Sequence, residues 1–115
     1  HLDVNNVYVN SQNFNFDPKA YLDELPLNKV CYLHVAGHYQ ESDGFLVDTH
    51  GADVIDPVWD LLDYAYQSMG AAASSVPTCL ERDFNFPALS ELMTEVEMIR
   101  AKQQAIHTAN IKRRA

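Results

Sequence analysis

The sequence predicts an α/β fold, and three observations predict it. Apolar and β-branched runs at Leu2–Val9, Val30–Val35 and Thr78–Asp83 read as strands; segments opened by Asp17-Pro18, by Asp56-Pro57 and by Pro87 read as helices; and the two kinds alternate along the chain. Strands separated by helices are joined most easily in parallel, through right-handed crossovers. The predicted order is strand, short helix, strand, long loop, helix, strand, helix.

The first strand carries Asp3, Asn5 and Asn6 in its middle. Such polarity needs partners, and if the strand is buried on both faces, as parallel strands are, the two amides must meet hydrogen-bonding groups or a metal; an edge strand or an Asx-turn is the competing reading. Ser11 to Phe16 reads as a polar loop with two exposed aromatics, Phe14 and Phe16. Asp17 then caps a short helix with Pro18 at its first position, running to about Leu25 before Pro26 stops it. Val30–Val35 is the second strand, and Gly37 lets the chain turn just beyond it. The helix from Asp56 shows an apolar stripe of Val58, Leu61, Leu62, Ala65, Tyr66 and Met69, which reads as core, and Gly70 ends it. Ala71 to Val76 is a small-residue connector to the third strand. The last helix, with Leu89, Leu92, Met93, Val96 and Ile99 on one predicted buried face, continues to about Ile111 and places His107 in solvent.

At 115 residues the chain has the size of one domain, yet it begins at His1 directly on the first strand, which suggests a piece of something longer. Its net charge of −8 is uneven: all sixteen acidic residues lie at or before Glu97, whereas Arg100 to Ala115 holds five basic residues and no acid. A negative body argues against nucleic acid, and Lys112-Arg113-Arg114 is better read as a helix end whose cations complement the macrodipole. Cys31 and Cys79 form no CxxC pair and are expected as buried free thiols in a reducing cytoplasm. No apolar run approaches a membrane span and no signal peptide is visible, so a cytoplasmic protein without membrane contact is expected.

The chemistry concentrates between Tyr32 and His50. His34, His38 and His50, three of the five histidines, fall with Asp48 within seventeen residues. Neutral imidazole and carboxylate are the usual ligands of borderline divalent metals, so this segment predicts a metal site; loop histidines and an Asx-turn at Asp48 are the alternative. Asp48 and His50, two apart, project to one side of an extended segment, as do Glu81 and Asp83, with Arg82 opposite. Surface ion pairing is the other reading of that acidic end. In parallel α/β folds ligands gather at the carboxyl ends of strands, where Asn5 or Asn6, His34 and Glu81 fall.

Four motifs in register, Leu2-Asp3-Val4-Asn5-Asn6-Val7-Tyr8-Val9-Asn10, His34-Val35-Ala36-Gly37-His38, Asp48-Thr49-His50 and Leu80-Glu81-Arg82-Asp83, resemble the multinuclear non-haem iron-dependent oxidative enzymes once grouped as an uncharacterised family. The resemblance runs from Leu2 to about Arg100. It implies the C-terminal part of a TIM-type (β/α)8 barrel, with the whole chain inside that single domain and the earlier strands, which bring further His and Glu ligands, missing. It implies metal ligands at Asn6 (with Asn5 as the alternative), His34, His38, Asp48, His50 and Glu81, and a proton-transfer group at Asp83. Groups beside the ligands, such as Arg82 or Tyr39, are candidates to orient the carboxylates. Many relatives read Asn-His where this chain has Asn13-Phe14, a departure that puts one expected polar contact in doubt.

The activity the resemblance implies is oxidation of cysteine residues in a ribosomally made precursor peptide, with two or three irons, dioxygen as co-substrate and a separate partner protein that recruits the leader peptide. Two rivals are a divalent-metal barrel of the xylose-isomerase-like or endonuclease-like kind, and a non-catalytic fragment or binding module with an acidic rim. The 115 residues alone are expected to be inactive and poorly stable, because three barrel strands leave two sheet edges unpaired.

Overall fold

The computed structural model describes the backbone of residues 1–114 and the side chains of residues 1–109. It is a mixed α/β arrangement. Three short strands, β1 (Leu2–Asp3), β2 (Leu33–Val35) and a strand at Thr78–Leu80, form a parallel sheet in which β2 is central. Between them come α1 (Val4–Asn13), α2 (Pro18–Asp23), a 3-10 turn at Leu27–Lys29, a small antiparallel hairpin of β3 (Tyr39–Gln40) and β4 (Leu46–Val47), α3 (Asp56–Met69) and a 3-10 segment at Gly70–Ser75. The Thr78–Leu80 strand is β5, and α4 (Leu89–Arg114) follows it.

The largest departure from expectation is at the start. The predicted strand Leu2–Val9 is a strand for two residues only, after which α1 begins. Asp3 decides this: in extended conformation, its carboxylate accepts the Asn6 amide at 2.9 Å and caps the helix. Val4, Val7 and Ser11 then repeat at helical spacing and are buried, so periodicity overrides β-branched propensity. The predicted Ser11–Phe16 loop loses its first three residues to α1, while Phe14 and Phe16 are exposed as expected. Asn13 ends the helix by bonding both backbone groups of Leu46 at 2.8 Å, which pins the hairpin to α1.

The other strands are also shorter than predicted, at Leu33–Val35 and Thr78–Leu80, and the long loop contains the hairpin. Asp17 caps α2 through the Lys19 amide at 2.9 Å. α3 occupies the predicted span, and Val58, Trp59, Leu61, Leu62, Ala65 and Tyr66 bury against Val4, Leu22, Leu33 and Val35. Each buried valine or leucine among them stabilises the fold by about 1.5–3 kcal/mol through removal from water. Tyr66 is fully buried with its hydroxyl bonded to Thr78, and burial pushes its phenol up to about 12.

Two expectations fail at the surface. In α4 only Ile99 of the predicted buried face is fully buried; Leu89 and Met93 are exposed, because the helix packs mainly on the Gly70–Ser75 segment through its second half. Cys31 and Cys79 are exposed and not buried: Cys79 pairs with His34, on the face that alternation turns away from the buried Leu33 and Val35, and Cys31 precedes β2, outside the sheet. His107 is exposed, as expected. The side chains of Lys112-Arg113-Arg114 lie outside the described residues. No helix among the described residues is long and apolar enough to cross a membrane.

Candidate metal centre

The register of the sheet creates the first half of the site. Asp3 on β1 pairs directly with His34 on β2, so their side chains leave one face side by side. His34 Nε2 lies 2.8 Å from Asp3 Oδ2 and 3.4 Å from Glu81 Oε2. Glu81 reaches this point because its amide donates to the Val35 carbonyl at 2.9 Å, extending the β5 contact one residue beyond the strand.

The second half is built by backbone bonds between loops. The His50 amide donates to the Gly37 carbonyl at 3.1 Å, and the His50 carbonyl accepts the Asp83 amide at 2.8 Å. These bonds hold His50 at φ 61°, a left-handed conformation that costs a non-glycine residue roughly 1–3 kcal/mol. A Cβ on Gly37 would meet the Ala52 carbonyl oxygen at 2.0 Å, so only glycine allows the two backbones to approach this closely.

The His50 ring stands between carboxylates on both nitrogens. Nε2 lies 2.9 Å from Asp48 Oδ1; Nδ1 lies 3.1 Å from Asp83 Oδ2 and 3.4 Å from Glu81 Oε2. Burial works to lower the His50 pKa, but Asp48, Asp83 and Glu81 together outweigh it and hold it above the usual histidine value. The His34 and His50 rings meet edge to face with centroids 5.9 Å apart.

Both Nε2 atoms are buried and, among the described residues, have no hydrogen-bond partner. Asp3 and Asp48 oxygens are within 2.9 Å of them yet fail the alignment of a hydrogen bond. Two donors that each sit about 2.1 Å from one ion at near right angles are about 3 Å apart, so these pairs have the separation of co-ligands. Asp3, His34 and His50 form one group able to hold a metal, and His50, Glu81 and Asp83 form another. Four carboxylates around two imidazoles also repel one another, and a cation relieves that repulsion. The donors present therefore fit a metal.

Of the residues singled out in the sequence, the structure brings together His34, Asp48, His50, Glu81 and Asp83. Asn6 adjoins them through Asp48 Oδ2, 3.3 Å from its Nδ2, while its Oδ1 accepts the Asn10 amide at 3.1 Å. His38 stands farther out, with Nδ1 2.9 Å from Asn5 Oδ1; burial lowers its pKa against the opposing pull of Asp48. Asp3 was not singled out as a donor, although its place one residue before the chain leaves the sheet, beside His34, marks it. Arg82 does not orient the carboxylates. Its guanidinium faces the other way, to Asp53 at 3.0 Å and to the carbonyls of Phe84 and Asn85. Tyr39 is 59% exposed on the hairpin. Orientation falls instead to the buried Asn5, whose Nδ2 donates to Asp48 Oδ1 at 2.5 Å.

These residues lie in a stretch with known relatives. The family model for the RiPP precursor modification enzymes MbnB/TglH/ChrH matches residues 1–104. A UPF0276 protein of Alcanivorax borkumensis is 52% identical over 111 residues, covering 96% of this chain and 36% of its own length. Those of Nitrosospira multiformis and Shewanella amazonensis are 56% and 54% identical, covering 84% and 90% of this chain and 32% and 36% of their own lengths. The chain thus spans about a third of the length of the curated relatives it matches. With its motif-bearing residues all inside the matched span, the chain belongs to the MbnB/TglH/ChrH family of RiPP precursor modification enzymes.

Proposed function

We propose that this chain is the C-terminal part of a (β/α)8 barrel and supplies the metal-binding rim of an iron-dependent oxidase acting on cysteine residues of a ribosomally made precursor peptide. The family supports peptide modification, and the parallel β1-β2-β5 sheet with its intervening helices is compatible with a barrel sector. The observation that carries the metal is the pair of buried Nε2 atoms, on His34 and His50, without hydrogen-bond partners among the described residues and with carboxylates at co-ligand distance. Asp3, His34, Asp48, His50 and Glu81 would hold two or three irons together with donors from the remainder of the barrel. Nitrogen and oxygen donors leave iron with open positions for a thiolate and dioxygen, and that redox chemistry is what the metal supplies when bound.

The chain's own residues do the rest. Glu81 and Asp83 face the same cavity, and Asp83, with a side chain 53% exposed, stands nearer to solvent and substrate. Its Oδ2 is placed to take the proton released as the peptide is oxidised. A leader-recruiting partner protein completes the proposed system.

The test uses the full-length protein and metal analysis by mass spectrometry. His50→Ala and Glu81→Gln each lower bound iron, and His107→Ala on the outer face of α4 does not. Equal iron in all three variants overturns the site. Oxygen uptake that requires Fe(II) supports the oxidase, whereas turnover with magnesium, manganese or zinc and no oxygen uptake moves the protein to the non-oxidative metal barrels.

A further inference from the structure

Asn5 is fully buried, and its three side-chain hydrogen bonds all end on the metal-site segments. Nδ2 donates to Asp48 Oδ1 at 2.5 Å and to the Gly37 carbonyl at 3.2 Å; Oδ1 meets His38 Nδ1 at 2.9 Å. The amide can be oriented only one way. Gly37 oxygen and the Asp48 carboxylate are acceptors without a proton to give, so the NH2 group must face them and the carbonyl oxygen must face His38. An oxygen cannot donate, so His38 Nδ1 carries the proton and His38 Nε2 carries the free lone pair. The same Gly37 carbonyl also accepts the His50 amide, so the contact reaches the left-handed turn that presents His50.

We propose that Asn5 is a positioning residue that aims the Asp48 carboxylate at His50 and fixes His38 as the Nδ1–H tautomer, leaving Nε2 ready to accept a proton or a ligand. This rests on the metal reading above for Asp48, but its His38 half stands apart from metal. Two substitutions separate the parts. Asn5→Leu, with the same branching and the same number of side-chain heavy atoms, removes donors and acceptor together; Asn5→Asp keeps an acceptor for His38 and replaces the donors with a second carboxylate against Asp48.

The experiment reads the 15N shifts of the His38 ring in metal-free full-length protein, and then titrates Fe(II) anaerobically. The expected result is the Nδ1–H tautomer in the wild type and in Asn5→Asp, with loss of that preference in Asn5→Leu. Iron binding weakens about 10–100-fold in both variants, the usual effect of removing a group that orients a ligand. An Nε2–H tautomer in the wild type, or an unchanged His38 in Asn5→Leu, overturns the proposal. So does wild-type iron affinity in both variants while His50→Ala loses iron. If His50→Ala instead binds iron normally, the metal reading falls, and the tautomer measurement still decides the role of Asn5 at His38.

Discussion

His50 and Asp83 are joined twice, by main chain and by side chain. The Asp83 amide donates to the His50 carbonyl at 2.8 Å, and Asp83 Oδ2 lies 3.1 Å from His50 Nδ1. The main-chain bond survives any substitution at position 83 except proline. Asp83→Asn is therefore expected to keep the local backbone and most of the iron while losing peptide oxidation, since an amide cannot take up the proton that a carboxylate accepts. Iron content and product formation measured on the same samples check this. Unchanged turnover with unchanged iron retires Asp83 as a proton acceptor.

Gly37 has no room for a side chain, since an added Cβ would lie 2.0 Å from the Ala52 oxygen and 2.6 Å from the Asp53 oxygen. Gly37→Ala must displace backbone, at a cost of roughly 1–3 kcal/mol. The displaced carbonyl serves both Asn5 and His50, so iron affinity falls along with the melting temperature. Calorimetry and metal titration of the full-length variant read both.

Arg82 joins three acceptors on two loops, Asp53, Phe84 and Asn85, with a side chain only 10% exposed. Arg82→Lys keeps the charge but cannot reproduce the planar fork, so it is expected to destabilise the protein by about 1–3 kcal/mol, close to Arg82→Ala. Denaturant unfolding of the two variants tests this. A lysine variant as stable as the wild type would show that only charge matters here.

Glu95 accepts the Val54 amide at 2.9 Å, and burial raises its pKa above the usual glutamate value. The folded state therefore holds the Glu95 proton more tightly than the unfolded state, and the contribution of Glu95 to stability falls as pH rises from its unfolded value through its raised folded value. Glu95→Gln keeps an acceptor for Val54 without the buried charge. It should raise the melting temperature at neutral pH and leave it unchanged well below the unfolded glutamate pKa, as scanning calorimetry at the two pH values would show.

The sequence was informative where a local rule acts alone. Asp-Pro opened α2, the apolar stripe defined α3 between Pro57 and Gly70, and the alternation of strands and helices marked the parallel sheet. It misled at Val4–Val9, where β-branched residues suggested a strand but the Asp3 cap and the burial of Val4 and Val7 select a helix. In the site, His34, Asp48, His50, Glu81 and Asp83 were legible because chemistry-bearing residues cluster at strand ends. Asp3 was not, and Asn5 was named only as an alternative ligand to Asn6, because the contacts of both depend on a register and a helix start that only the folded chain provides. The exposure of Cys79 was hidden for the same reason: a short strand has two faces, and hydropathy does not say which one is covered.

Only Asp3 and His34 of the convergent donors stand on paired strands; Asp48, His50, Glu81 and Asp83 lie in segments outside helices and strands. Main-chain bonds from His50, Glu81 and Asp83 are what tie these segments down, so a cation shared by their side chains would act in part as a folding cofactor. Affinity for the metal then includes the entropy of stilling residues 48–50 and 81–83, and whatever loosens those loops weakens binding without touching a ligand. Hydrogen exchange at these amides should slow when metal is added, which would make the opening of two short segments a gauge of metal loading.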